Sequence, residues 1–93
     1  MKKEFQSAIT RGGNILTPDK ITITDSFVLW SKRNKFLIGV DSISIPRDKI
    51  SGIEINGKLW GADIYINSFG GTKIIAKNFL GSDAKRIKEM LSK

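Results

Sequence analysis

Ninety-three residues, 40% hydrophobic and 27% charged, define a single globular domain with one core. The chain has no cysteine and no histidine, which excludes disulfides, thiolate metal sites, thiol nucleophiles and imidazole acid–base chemistry. Sixteen Lys/Arg against nine Asp/Glu leave a net charge of +7, a balance that suits either a polyanionic partner or plain solubility.

The chain opens with Met1-Lys2-Lys3-Glu4-Phe5-Gln6-Ser7. Two lysines without an apolar stretch behind them are not a secretory signal, and no run of residues is long and apolar enough to span a bilayer, so a cytoplasmic protein is expected. Residues 1–12 lack strong periodicity and are expected to be a partly flexible N-terminal segment, with the domain proper over residues 13–93.

From there the pattern is that of β-strands. Fifteen of the residues are isoleucine, and most alternate with polar side chains. Ile21-Thr22-Ile23-Thr24, Ile43-Ser44-Ile45, Ile53-Glu54-Ile55-Asn56 and Ile64-Tyr65-Ile66-Asn67 all show a period of two. β-branched residues suit a pleated, half-buried surface, and one-face alternation implies an antiparallel sheet with a wet outer side.

Turn signals divide these runs. Thr17-Pro18-Asp19-Lys20 or Asp25-Ser26 makes the first hairpin loop, and Lys32-Arg33-Asn34-Lys35 makes a polar tip. The segment from Phe36 to Ile45 reads as one bent strand or as two, and Pro46 ends it because proline lacks a ladder N–H. Gly70-Gly71 fits a type I′ hairpin turn. In the last segment the period changes. Ser82 is the expected N-cap, Ala84, Ile87 and Leu91 form an apolar stripe flanked by Met90, and Lys85, Arg86, Lys88 and Lys93 form the wet side. The predicted architecture is mainly β (α+β), an antiparallel meander closing toward a barrel or sandwich, with one C-terminal helix.

Two stretches resemble the bacterial pleckstrin-homology-like domains and the related GRAM domains. Ile21-Thr22-Ile23-Thr24-Asp25-Ser26-Phe27-Val28-Leu29-Trp30 looks like that family's strand, turn and aromatic-bearing strand. Ser44-Ile45-Pro46-Arg47-Asp48-Lys49-Ile50-Ser51-Gly52-Ile53-Glu54-Ile55 is similar to its Ile-Pro segment, where a single turn joins two strands. Leu59-Trp60-Gly61-Ala62-Asp63-Ile64-Tyr65-Ile66, the glycine hairpin and the final helix complete the resemblance over residues 13–93. It implies a bent, seven-stranded antiparallel sheet capped by the helix. The phosphoinositide signature of the eukaryotic members needs a basic first loop, which neither candidate loop here supplies, so that ligand is not carried over.

Candidate contacts are few. Lys32, Arg33 and Lys35 cluster at the polar tip, where they either meet phosphate groups or keep the sheet soluble. Lys58, Leu59 and Trp60 lie in a predicted loop; the tryptophan either plugs the barrel or anchors a partner or membrane surface. Tyr65 and Phe69 fall opposite Ile64 and Ile66, beside Lys73 and Lys77 across the glycine turn, as a stacking surface or as cross-strand packing.

No phosphate-cradling loop, nucleophile elbow or closely spaced carboxylate pair is present, so neither catalysis, a cofactor nor a metal is expected. The expected role is that of a binding or scaffold module acting through protein–protein contacts or self-association, because an open sheet edge seeks partners. Attachment to an anionic membrane surface and binding of nucleic acid are the alternatives.

Overall fold

The computed structural model describes residues 2–7, 18–33, 40–59 and 61–92. Among them are seven strands: β1 (Lys2–Gln6), β2 (Asp19–Thr24), β3 (Phe27–Arg33), β4 (Val40–Pro46), β5 (Ile50–Lys58), β6 (Gly61–Ser68) and β7 (Lys73–Phe79). A single 3-10 turn at Arg47–Lys49 separates β4 from β5, and one helix, α1 (Gly81–Leu91), ends the fold.

All ladders are antiparallel, and they fall into two sheets of order β1-β2-β3-β4 and β5-β6-β7. The expected mainly β class with a C-terminal helix is therefore seen. Of the expected barrel or sandwich, the two sheets are what is seen: no ladder among the described residues joins them into a barrel. Pro46 ends β4, and the 3-10 turn redirects the chain before β5 can continue the first ladder.

The isoleucine alternation decides which face each strand buries. Ile21, Ile23, Val28 and Ile45 from the first sheet meet Ile64, Ile66, Ile74 and Ala76 from the second, all fully buried. Each buried isoleucine or valine contributes about 1.5–3 kcal/mol on leaving water. The helix covers the open side of this core with Ala84, Ile87 and Leu91, the stripe expected from spacing, and it packs against β5 and β6.

Three local expectations are corrected. Lys2–Gln6 is not frayed: it forms edge strand β1, its Phe5 lies in the core, and Ser7 exchanges two bonds with Asp19 (Ser7 N–H to Asp19 C=O, 2.8 Å; Asp19 N–H to Ser7 Oγ, 3.0 Å). One buried aromatic in five residues leaves too short a pattern to read as periodic. Asp19 and Lys20 belong to β2 rather than to a loop, so Asp25-Ser26 is the β2–β3 turn, and most of the β1–β2 connection lies outside the described residues. The helix starts two residues early, with Leu80 at the N-cap and no side-chain cap, so Ser82 lies inside the first turn. Asp83 is still placed to complement the positive helix end.

The glycine hairpin also differs in type. Gly71 N–H bonds Ser68 C=O (3.2 Å) and Ser68 N–H bonds Thr72 C=O (3.0 Å), which makes a three-residue turn. Only Gly71 takes a positive φ, of 89°, whereas a type I′ turn needs two. Strand β4 begins at Val40, and the rest of the Phe36–Ile45 question lies outside the described residues.

Candidate functional site

Arg47, unremarked by sequence reasoning, locks the fold's layers together. Its guanidinium donates to Thr24 C=O at the end of β2 (3.1 Å) and to Met90 C=O in the last turn of α1 (2.6 Å). The second bond satisfies a carbonyl that a helix end leaves without a partner, and places a cation at the negative end of the helix. At the middle of the helix, the Arg86 guanidinium lies over the Phe5 ring at 5.8 Å from its centroid.

The most organised polar cluster lies on β7, where the strand departs from its ladder. The register with β6 slips between Ala62 and Ile64, so that Lys77 and Asn78 both fall opposite Asp63, and Asn78 takes φ 65°. Two buried aspartates accept the amides that the bulge displaces. Asp19 Oδ2 accepts from Lys77 N–H (3.2 Å) and from Trp30 Nε1–H (3.1 Å), while Asp63 Oδ1 accepts from Asn78 N–H (3.1 Å).

Two of the expected contact lysines are counter-ions to these acids. Lys32 Nζ lies 3.4 Å from Asp19 Oδ1, and Lys58 Nζ lies 3.1 Å from both Asp63 Oδ1 and Asn78 Oδ1. Buried carboxylates need paired charge and donors, and both have them. Lys32 and Lys58 thus act inward, and the bulge they support is a built structural feature. A signal for Asp19 was present: it shares the parity of core-facing Ile21 and Ile23, an unusual position for an acid.

The remaining expected residues are scattered. Arg33 ends β3, whereas Lys35 and Trp60 lie outside the described residues. Leu59 stands in the β5–β6 turn, 84% exposed. Phe69 is 75% exposed on the β6–β7 turn, at the opposite end of β6, and its amide is held by Lys49 C=O at 2.9 Å. Tyr65 is half-buried on the outer face, between Glu54 of β5 and Ile75 of β7 in register. Ile75 itself, missed as a candidate because it reads as one of a buried pair, is 41% exposed. Lys73 and Lys77 are exposed on the same face.

Two hollows lie among the described residues. One, of about 380 Å³, lies over the outer face of β1–β3, with Phe27 and Leu29 in its floor; Lys2 on its rim pairs with Glu4 at 3.6 Å. The other, of about 390 Å³, lies between Arg47, Ile53 and Leu91. Among the described residues no three carboxylates gather to hold a metal ion, and no helix is long and apolar enough to cross a membrane. No family model, curated protein or solved structure matches the chain.

Proposed function

We propose that this chain is a non-catalytic, pleckstrin-homology-like binding module of the cytoplasm, acting through protein–protein contacts or self-association. The observation that carries the reading is the set of large apolar side chains left in water by β5–β7 and their turns, Leu59, Phe69 and Ile75, where the other large apolar side chains among the described residues are buried or half-buried. Exposed aromatic and aliphatic anchors on a rigid sheet are the usual nuclei of protein interfaces. The sequence of four strands, three strands and a terminal helix supports the pleckstrin-homology-like assignment, and the tying of Lys32 and Lys58 to buried acids leaves fewer free cations for a phosphate-reading surface.

The test compares the wild type with a Leu59→Ser/Phe69→Ser/Ile75→Ser variant as immobilised baits in lysate of the cells the protein comes from. Partners retained by the wild type and lost by the folded variant support the module. Identical capture by both, with a monomer in light scattering at low and high salt, overturns it. The alternative of an anionic membrane surface rests on the +7 charge beside these apolar side chains. It predicts that the wild type floats with phosphatidylserine vesicles and is released by salt.

A further inference from the structure

Strand β7 is one of the two outer strands of the second sheet, and its ladder fixes which of its backbone groups face outward. Ser68 and Thr72 form a bonded pair next to the turn. Bonded and non-bonded pairs alternate along an antiparallel ladder, so Ile66–Ile74 and Ile64–Ala76 are bonded and Asn67–Lys73 and Tyr65–Ile75 are not. The N–H and C=O groups of Lys73 and Ile75 therefore point away from β6. Two residues further on, the outward Lys77 N–H is taken by Asp19, which closes that end. Among the described residues, nothing pairs with Lys73 or Ile75 on this edge.

The side chains beside this edge specify a partner. Exposed Lys73, Ile75 and Lys77 alternate on the outer face, and neither lysine has an ion-pair partner among the described residues. A second copy is a poor fit. A two-fold pairing that sets Ile75 on Ile75 places Lys73 opposite Lys77 twice, and like charges directly opposite destabilise a sheet. Moving the register by two residues sets each Ile75 against a lysine instead. An extended segment with carboxylates flanking an apolar residue satisfies all three positions.

We propose that the Lys73–Ile75 edge of β7 accepts an extended acidic segment of a partner protein by strand addition. The segment would bond the outward N–H and C=O groups of Lys73 and Ile75, setting an apolar side chain beside Ile75 and carboxylates beside Lys73 and Lys77. This rests on the reading of the chain as a protein-binding module and names the kind of partner.

The test uses a fluorescein-labelled peptide that alternates threonine on one face with glutamate, valine and glutamate on the other. A control carries lysine in place of both glutamates. Anisotropy at low salt is expected to show the acidic peptide binding at least tenfold more tightly than the control. In amide NMR spectra the outward Lys73 and Ile75 signals should move most, and those of Ile74 and Ala76 least. Ile75→Pro removes an outward donor without removing a bond to β6, and Lys73→Glu/Lys77→Glu reverses both charges. Each variant, with its fold checked by melting, should lose binding at least tenfold. No binding of the acidic peptide, equal affinity for both peptides, or full binding by the charge-reversed variant overturns the proposal. If that happens while the apolar triple variant still loses its captured partners, only the β7 edge falls and the module stands.

Discussion

The two halves of β7 handle the same problem in opposite ways. Near Lys77 and Asn78 the strand leaves its ladder, and buried Asp19 and Asp63 accept the displaced amides, each backed by a lysine. At Lys73 and Ile75 the backbone stays in register with β6 but offers its outer groups to no other strand among the described residues. The first half is stapled to β2 and to the end of β5. The second ends at the sheet's margin. Along β7, polar side chains take the place of a strand where the backbone is part-buried. An exposed edge can leave its bonds to water, and so also to a partner.

Substitutions break this comparison to different extents. Asp19→Ala should have the largest effect. It strands the part-buried Trp30 and Lys77 donors and leaves Lys32 without its partner, for a loss of about 2–3 kcal/mol measured by chemical denaturation. A loss below about 1 kcal/mol would mean that the stapled half does not depend on its acid. Asn78→Ala places a residue that tolerates left-handed backbone less well than asparagine at φ 65° and removes the Lys58 contact, and should destabilise by about 1–2 kcal/mol. Lys58→Ala removes a counter-ion that is itself partly exposed, so a loss of about 0.5–1 kcal/mol is expected, diminishing in high salt. Ile75→Thr, on the open half, should change stability by no more than about 0.5 kcal/mol while weakening partner binding. Hydrogen exchange sharpens the contrast further: the Lys73 and Ile75 amides should exchange quickly in the free protein, whereas Lys77 N–H, held by Asp19, should be protected.

Little of the candidate surface was legible before the fold. The outer-face position of Tyr65 followed from period-two alternation, and the ladder puts it opposite Ile75 as that parity requires, whereas Phe69 lies beyond the strand, in the turn. Ile75 escaped because Ile74-Ile75 reads as an apolar pair, and only the neighbouring strand tells which member faces the core. Lys32 and Lys58 were expected as free contacts because a lysine near a turn looks solvated. The acids that hold them come from strands 13 and 5 residues away in the chain, Asp19 and Asp63 respectively; the parity of Asp19 with Ile21 and Ile23 marks an inward acid but not the lysine it meets.

The sequence by itself determined the antiparallel strands, the placement of isoleucines on one face, the end of β4 at Pro46 and the amphipathic helix, because each is set by short-range periodicity or by a residue's own backbone chemistry. Tertiary structure alone decided that β1 joins the sheet, that Arg47 ties β2 to the helix end, and that one half of β7 is closed while the other stays open. Those outcomes depend on which distant polar groups arrive at a buried backbone, and the cost of leaving such a group unpaired is what selects them.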